Sequence, residues 1–494
     1  MKSPHVIVIG AGMGGLSAAA DLAARGVKVS VFERASKPGG KMRQVQVNGQ
    51  GIDAGPTVFT MRWIFDGLFA AAGAKVEDLL NLVPATTLAR HGWMDGSALD
   101  LFADLDASAA AIERFSDASN AQGYRDFCAR SKRVFDALKS TFIAAQRPSA
   151  AALTMRMGVA GLPVMLNTPP TLTLWKSLAQ HFSDPRLRQL FGRYSTYCGS
   201  SPMLSPATLM LVAHVEQDGV WQVEGGMIEV ARAMQSLGER HGAQFAFDQH
   251  VAAIRTHRGA TCGITLADGT KIDADAVVFN GDISALANGQ LGTDVQRSVA
   301  GVAARQRSLS AITWCTRAKP SGFDLVHHNV FFGADYKDEF ASVFEQRDIS
   351  TTPTVYLCAQ DRGAGNTPDG AERMLLLVNA PADGDTNAFD DAYVARIEQR
   401  AREVMQRCGL QLEQAHSEAT TPAGFDALFP GSGGALYGRA THGPFATFER
   451  PAATTKTRGL FVAGGSAHPG PGIPMATMSG RLAAECVAAH LRLD

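Results

Sequence analysis

The sequence predicts an α/β fold whose first domain is assembled from separated parts of the chain. The apolar run Val6–Ile9 leads directly into the glycine-rich segment 10–15, the pattern of a strand that turns into a helix. A second apolar run at 276–280 is typical of a buried parallel strand. The segment 459–465 is again a strand that ends in a glycine turn. Three distant parts of the chain are therefore expected to contribute to one domain.

The first glycine-rich segment has the spacing of a turn that holds a dinucleotide. Gly10 permits a tight turn, Gly12 lets the backbone approach a pyrophosphate, and Gly15 lets the following helix pack closely on the strand. Gly14 belongs to the same turn. The N-terminus of the following helix directs free N–H groups at the phosphates. We therefore predict a Rossmann-type dinucleotide-binding domain.

A carboxylate follows the second strand, at the position where dinucleotide-binding domains use one to bind a ribose. Glu33 closes the second apolar strand, 27–32, and lies 23 positions after Gly10. A carboxylate at that spacing reaches the ribose hydroxyls of the adenosine half of a dinucleotide. Glu33 is therefore the predicted ribose ligand.

The bulk composition excludes several classes of protein. The chain has 494 residues with 46% hydrophobic and 19% charged residues, which predicts a globular enzyme of two or three domains. Its net charge of −1 gives no reason to expect a nucleic-acid partner. The seven cysteines contain no CxxC pair, and His327–His328 has no partners at ligand spacing, so no metal site is expected.

We expect neither a signal peptide nor a transmembrane helix, because the first strand begins near Met1 and the apolar runs contain prolines. The longest uncharged runs, 157–175 and 194–215, are still apolar enough for helices that dip into a membrane surface. Buried core is the alternative interpretation of both.

The pattern along the chain divides it into three parts. We predict a discontinuous dinucleotide-binding domain from 1–75, 217–285 and 445–494. Residues 76–216 are rich in Ala and Leu and are predicted to form a helical subdomain. Residues 286–444 mix strands with one helix and are predicted to form a mixed-sheet domain that binds substrate.

The motifs, in this order and spacing, resemble one family. They are GAGMGG (10–15), Glu33, PGGKMR (38–43), DAGPT (53–57), GVWQVEGGM (219–227), DAVVFNGD (275–282) and GLFVAGGSAHPGPGIP (459–474). Together they resemble the carotenoid desaturases of the bacterial phytoene desaturase type, within the flavin amine oxidase superfamily. The closing HPGPGIP is the most specific piece. Gly465 and Ser466 stand where amine oxidases usually carry an acidic residue, which argues against an amine oxidase.

The resemblance implies FAD as the cofactor and assigns residues to it. The glycines of the first turn would bind the pyrophosphate, Val251 the adenine, and the N-terminus of the last helix the flavin edge that becomes negative on reduction. The remaining implied flavin contacts are Gly40, Lys41, Arg43, Gly55, Pro56, Thr57, Gly464, Gly465, Gly472, Ile473 and Pro474. His468 is the candidate catalytic base. A hydrogen-bonded histidine that shapes its loop is the alternative.

Within the family, DAGPTVFTM and GRYSTYCGSSP resemble the purple-bacterial hydroxyneurosporene or methoxyneurosporene desaturases. This implies insertion of a C-3,4 double bond into an acyclic 1-hydroxy or 1-methoxy carotenoid. The substrate would be drawn from a membrane to which the protein binds peripherally, on the cytoplasmic face. A multistep phytoene desaturase, a flavin-dependent carotene isomerase and a flavin-free prenyl-binding protein of the GDP-dissociation inhibitor type remain alternatives. The sequence does not define an oligomeric state.

Overall fold

The computed structural model describes residues 3–363 and 368–493, without the side chains at positions 160, 162 and 414. The strands in chain order are β1 (His5–Ile9), β2 (Lys28–Phe32), β3 (Gln44–Val47), β4 (Gln50–Asp53), β5 (Phe59–Thr60), β6 (Leu82–Pro84), β7 (Thr87–Trp93), β8 (Ala98–Phe102), β9 (Val220–Val223), β10 (Gln244–Ala246), β11 (Val251–His257), β12 (Ala260–Leu266), β13 (Lys271–Asp273), β14 (Ala276–Phe279), β15 (Ser310–Ser321), β16 (His328–Phe332), β17 (Val355–Ala359), β18 (Glu372–Ala380), β19 (Gln411–Thr420) and β20 (Leu460–Val462).

The helices are α1 (Met13–Ala24), α2 (Arg62–Ala71), α3 (Leu105–Phe115), α4 (Ala118–Leu138), α5 (Ala150–Asn167), α6 (Leu174–Leu178), α7 (Pro185–Gly192), α8 (Leu211–Gln217), α9 (Ile228–Arg240), α10 (Ile283–Ala287), α11 (Tyr336–Ala341), α12 (Asp391–Arg407), α13 (Pro422–Leu428) and α14 (Ile473–Leu491). Among the described residues, none of these helices combines the length and the hydropathy that crossing a bilayer requires.

A five-stranded parallel sheet, in the order β10-β2-β1-β14-β20, carries the glycine turns. Strand β1 lies at its centre and is buried on both faces. Val6 and Val8 pack toward α1 and α14, whereas Ile7 and Ile9 pack toward the three-stranded sheet β11-β12-β13. The near-continuous apolar sequence of β1 follows from this burial. The predicted assembly of one sheet from the start, middle and end of the chain is confirmed.

A seven-stranded mixed sheet, in the order β19-β15-β18-β17-β16-β7-β8, forms the second large layer. Helix α12 covers one of its faces, where Ile397 and Val404 join the core around Trp314. On the other face the register brings Thr313, Leu377 and Tyr356 into one row, and all three line a large cavity. The sheet therefore supplies one wall of that cavity.

The prediction of helix throughout 76–216 is wrong for residues 82–102. Strand β7 pairs in parallel with β16 and antiparallel with β8, so both strands belong to the seven-stranded sheet. The alanines and leucines of this stretch favour helix locally, but pairing with a strand more than two hundred residues away overrides that preference. Asp95–Gly96 joins β7 to β8, and this dipeptide is a hairpin signal that the sequence does contain.

The rest of the predicted helical segment is helical and has its own core. Phe182 and Phe191 stack with ring centroids 4.7 Å apart, and Phe127 packs edge-on against them. Residues 194–215 belong mostly to this core, since Met210 and Ala213 are buried. The interpretation of 194–215 as a membrane-facing run is therefore wrong, and its alternative, buried core, is confirmed.

Candidate functional site

A cavity of about 1700 Å³ lies between the parallel sheet, the helical region and the mixed sheet. Ordinary small-molecule sites have roughly 300–1,000 Å³, so this cavity has room for more than one ligand. Most residues predicted to bind the cofactor line it. They are Gly10, Gly12, Gly14, Glu33, Gly40, Lys41, Arg43, Gly55, Pro56, Thr57, Val251, Gly464, Gly465, Gly472, Ile473 and Pro474. Gly15 and His468 do not.

The first glycine turn presents bare backbone to the cavity. A Cβ atom on Gly15 would lie 2.0 Å from the carbonyl oxygen of Gly10, so Gly15 closes the turn itself. A Cβ on Gly12 would lie 2.8 Å from the side-chain oxygen of Asn280, and one on Gly14 would lie 2.7 Å from the backbone nitrogen of Gly464. The turn therefore meets both β14 and the C-terminal glycine turn without room for side chains.

Glu33 is anchored beside this turn. Its carboxylate accepts hydrogen bonds from the backbone N–H of Ala11 at 2.7 Å and of Ala35 at 2.8 Å. Glu33 is 9% exposed, and it lines the cavity. Each oxygen keeps a further lone pair for a ligand hydroxyl. The geometry is therefore compatible with the predicted ribose contact.

The segment 38–57 folds over the first turn and extends the cavity. Gly39 donates its N–H to the carbonyl of Ala11 at 2.9 Å, and a Cβ on Gly40 would lie 3.1 Å from the Cα of Gly12. A Cβ on Gly55 would lie 1.9 Å from the carbonyl oxygen of Lys41. These glycines let the chain pass closely over the dinucleotide-binding turn.

Two cations on this segment line the cavity but contact the neighbouring lobe. The Lys41 ammonium donates to the carbonyl of Leu436 at 2.5 Å, and burial lowers its pKa. The Arg43 guanidinium donates to the hydroxyl of Thr420 at 2.8 Å and lies 5.7 Å from the ring centre of Phe425. Both side chains therefore fasten the segment 38–57 to residues 420–436.

The C-terminal segment aims a long helix at the cavity. Gly464 has φ +116°, a conformation that favours glycine, and Gly465 follows it at the cavity wall. Helix α14 begins at Ile473, and Gly472, Ile473 and Pro474 line the cavity. An α-helix carries roughly half a positive charge at its N-terminus. This end of α14 would stabilise negative charge on a bound group.

Asn280 lies at the centre of the site, and the assignment of individual residues from the motifs did not include it. Its side-chain amide donates to the carbonyl of Ala463 at 3.0 Å. Its side-chain oxygen is buried without a described partner beside Gly12 and Gly15. Asn280 thus links the first turn, β14 and the C-terminal turn at the rim of the cavity.

The structure places His468 behind the cavity wall. It is 2% exposed, and its Nε2 lies 2.9 Å from the carbonyl of Ala145 and 3.1 Å from that of Phe142. Its ring packs edge-on against Phe142, and burial lowers its pKa to about 4. This is the arrangement of the alternative interpretation, in which His468 holds its loop to the segment after α4.

The expectation that His327 and His328 have no partner is wrong. Cys358 lies on the neighbouring strand β17, and its Sγ is 3.5 Å from Nε2 of His327. One ligand atom from each of the three residues lies within 4.8 Å of the others. The pairing of β16 with β17 across 30 residues of sequence brings them together, which spacing alone does not reveal.

Beyond the glycine turns the cavity becomes apolar. Val212, Val215 and Leu209 enter it from the helical region, and Leu375 and Leu377 enter it from the mixed sheet. A hydrogen bond of 2.6 Å between Thr57 and the Tyr356 hydroxyl marks the boundary between the two regions. The cavity thus joins a part lined by glycine turns and polar groups to an apolar arm.

Comparison with known proteins defines the family. The family described as flavin-containing amine oxidoreductase matches residues 13–488. The chain belongs to this family. Among solved structures, cyclohexylamine oxidase from Brevibacterium oxydans gives a TM-score of 0.57 at 17% identity over 99% of this chain and 100% of that one. A Rab GDI from Plasmodium falciparum gives a TM-score of 0.55 at 11% identity over 98% of both chains. These likenesses show the fold alone, and they confirm the predicted fold class.

Relatives in sequence narrow the group within the flavin family. The chain is 51% identical to the hydroxyneurosporene desaturase of Rubrivivax gelatinosus, over 99% of this chain and 94% of the relative. It is 31% identical to the 1-hydroxycarotenoid 3,4-desaturase of Flavobacterium sp. strain P99-3, over 97% of this chain and 98% of the relative. The predicted resemblance to carotenoid desaturases of purple bacteria is confirmed.

Proposed function

We propose that this chain is an FAD-dependent carotenoid desaturase that inserts a C-3,4 double bond into an acyclic 1-hydroxy or 1-methoxy carotenoid. The observation that carries the proposal is the single cavity in which side-chain-free glycine turns continue into an apolar arm. The full-length likeness to hydroxyneurosporene and 1-hydroxycarotenoid 3,4-desaturases supports the substrate class.

The residues present fit FAD. Gly10, Gly12 and Gly14 leave backbone room for a pyrophosphate at the N-terminus of α1, and Glu33 is held for the adenosine ribose. Val251 would lie against the adenine. The loop 55–57, the turn 464–465 and the N-terminus of α14 would hold the ribityl chain and the ring. When bound, the flavin supplies a two-electron acceptor for a hydride.

The chain's own part in the reaction is to orient the substrate and exclude water. The C–H bonds next to a polyene are not acidic, so little acid–base machinery is needed, and none of the histidines of the described chain lines the apolar arm. The walls formed by Leu209, Val212 and Leu377 align an extended apolar chain. The N-terminus of α14 favours the negative charge that the site gains on reduction.

Feeding experiments test the substrate class. Purified protein with FAD and liposomes should convert 1-hydroxyneurosporene much faster than phytoene or neurosporene. The expected signature is a red shift of the carotenoid absorption bands, because one double bond extends the chromophore. Faster turnover of phytoene would assign a multistep desaturase instead, and a spectral change without net oxidation would assign an isomerase.

We further propose that α5 attaches the protein to the surface of a membrane. The side chains of Met155, Val159 and Leu166 are 75%, 82% and 79% exposed. The segment is kinked at Gly158, which has a non-helical conformation, so Met155 lies before the kink and Val159 and Leu166 lie after it. Leu153 and Met157, before the kink, line the cavity. The segment therefore carries exposed apolar side chains next to residues that line the cavity, which supports entry of a water-insoluble substrate from a bilayer.

Charge substitutions on this face test the attachment. The triple variant Met155→Asp/Val159→Asp/Leu166→Asp should lose liposome flotation, by roughly 100-fold or more in partitioning, because each burial contributes on the order of 1.5–3 kcal/mol. Binding by the unmodified protein should persist in moderate salt, because the net charge is only −1. Leu105→Asp, on α3, is the control. Normal flotation of the triple variant would contradict the proposal.

The outcome for the first apolar run, 157–175, is mixed. Leu166 is exposed as the attachment requires, whereas Leu174 is fully buried in the core of the helical region. The side chain of Leu162 lies outside the described part of the chain. The attachment is therefore assigned to α5 and not to the residues after it.

A further inference from the structure

A half-buried cation faces the apolar arm of the cavity. Arg193 follows α7 and lines the cavity with its guanidinium 5.5 Å from the ring centre of Tyr197 and 5.8 Å from that of Tyr356. The carboxylate of Glu216 lies close by. It accepts hydrogen bonds from the hydroxyls of Tyr194 and Tyr197. No ion pair of Arg193 occurs within the described chain. A guanidinium in this position has donors to offer to a ligand.

A second donor lies in the same part of the cavity. The hydroxyl of Tyr336 is buried and has no hydrogen-bond partner in the described structure. Its ring packs on Trp175, and a Cβ on Gly192, the residue before Arg193, would lie 3.3 Å from it. The ring is thus fixed at the cavity wall with an unused hydroxyl. Leaving such a group unpaired in a protein interior is costly.

The neighbouring polar side chains already have hydrogen-bond partners within the protein. Glu339 is 2% exposed and accepts hydrogen bonds from the hydroxyl of Thr354 at 2.5 Å and the side-chain amide of Asn379 at 3.1 Å. The Tyr356 hydroxyl is shared with Thr57 at 2.6 Å and with Nδ1 of His328 at 2.7 Å. Within the described part of this wall, Tyr336 therefore keeps a hydroxyl without a partner, and Arg193 keeps guanidinium N–H groups beyond its hydrogen bond to Tyr197.

Arg193 and Tyr336 lie close to the proposed position of the flavin ring. Tyr356 contacts both Arg193 and Thr57, and Thr57 belongs to the loop proposed to pass along the flavin ring. In a 1-hydroxy or 1-methoxy carotenoid the oxygen sits on C-1, two bonds from C-3 of the bond to be oxidised. Donors that bind this oxygen must therefore lie next to the flavin and not at the far end of the arm.

We propose that Arg193 and Tyr336 bind the oxygen at C-1 of the substrate and so select oxygenated carotenoids over hydrocarbon ones. This inference rests on the proposed function, whose substrate-reading residues it names. A hydroxyl and a methoxy oxygen both accept hydrogen bonds, so two donors bind either end group. A hydrocarbon end leaves both donors without a partner against an apolar chain, which a site of this kind rejects.

The test compares binding and turnover of two carotenoids that differ only at C-1. FAD-loaded protein is titrated with 1-hydroxyneurosporene and with neurosporene in detergent micelles, read by quenching of tryptophan fluorescence, and kcat/KM is measured for both. The unmodified protein should bind the hydroxylated carotenoid roughly 10- to 100-fold more tightly, as expected for hydrogen bonds to charged or buried donors. Arg193→Met and Tyr336→Phe should each weaken binding of the hydroxylated carotenoid alone, and Arg193→Lys should restore part of the preference.

Arg402→Met is the matched control. Arg402 lies on α12, over the opposite face of the same sheet, where it pairs with Glu398 at 2.7 Å, so its removal should keep the preference. Flavin absorption reports folding, and Tyr336→Phe, which removes one oxygen, carries the test if Arg193→Met does not fold.

The possible outcomes separate the subsite from the reaction. Variants that keep the preference, or that bind both carotenoids equally less well, overturn the subsite and leave the proposed function standing. A protein that prefers the hydroxylated carotenoid in binding through Arg193 and Tyr336 yet oxidises neither carotenoid overturns the proposed function and keeps the subsite.

Discussion

Gly12→Val is expected to yield a folded protein that binds no flavin. A Cβ at this position would lie 2.8 Å from the side-chain oxygen of Asn280, and the two methyl groups of valine would fill the space above the turn. Asn280 in turn donates to the carbonyl of Ala463 in the C-terminal turn, so the change disturbs the junction of the first turn with β14 and the C-terminal turn. Loss of two or more hydrogen bonds to a charged phosphate predicts an affinity for FAD lower by roughly 100-fold or more.

The measurement is the ratio of flavin absorbance to protein in the purified variant, followed by titration with FAD. Gly301→Val is the matched control, because Gly301 lies outside the cavity and a Cβ there meets only the Cβ of Ala287 at 3.4 Å. Stoichiometric flavin in Gly12→Val would show that the dinucleotide is not held by this turn.

The parts of the fold that the sequence predicts best are those whose local pattern and tertiary role agree. Strand β1 is apolar at every position after His5 because both of its faces are buried, so its pattern alone identifies a parallel strand. The same holds for β14. Strands β7 and β8 were predicted as helix because their pairing with β16 depends on residues far along the chain. Periodicity carries no information about such partners.

The same distinction between local pattern and distant partners applies to the residues of the candidate site. Glycines predicted from spacing at 12, 14, 40, 464 and 472 all line the cavity, and their contact with the cofactor stays a prediction. Among residues that act through side chains, spacing finds Glu33 beside the first turn and misses those that come together from distant parts of the chain. His468 lies in the most specific motif, yet its ring points behind the wall, whereas Arg193 and Tyr336 come from separate lobes and meet only in the folded cavity.

The buried histidines should make the protein labile to acid. Burial lowers the pKa of His468 to about 4 and of His91 to about 3, both from 6.5. Burial also lowers the pKa of His442 to about 4, and its Nε2 accepts a hydrogen bond from the N–H of Ser201 at 2.9 Å, which protonation would break. Below pH 6.5 these histidines bind protons in the unfolded chain but stay neutral in the folded chain until the pH reaches their lowered pKa values. The free energy of unfolding must therefore fall as the pH drops through this window.

For His468 alone the loss between pH 6.5 and 4 is about 3 kcal/mol, since one pKa unit corresponds to about 1.4 kcal/mol. Urea unfolding of the FAD-saturated protein at several pH values in this window measures it. Glutamine can donate to the carbonyls of Phe142 and Ala145 without titrating, so His468→Gln should flatten the pH dependence by that amount. His257→Gln, at an exposed position on β11, should leave it unchanged. An unaltered slope in His468→Gln would mean that the pKa of His468 is the same in the folded and the unfolded protein, so that burial does not lower it.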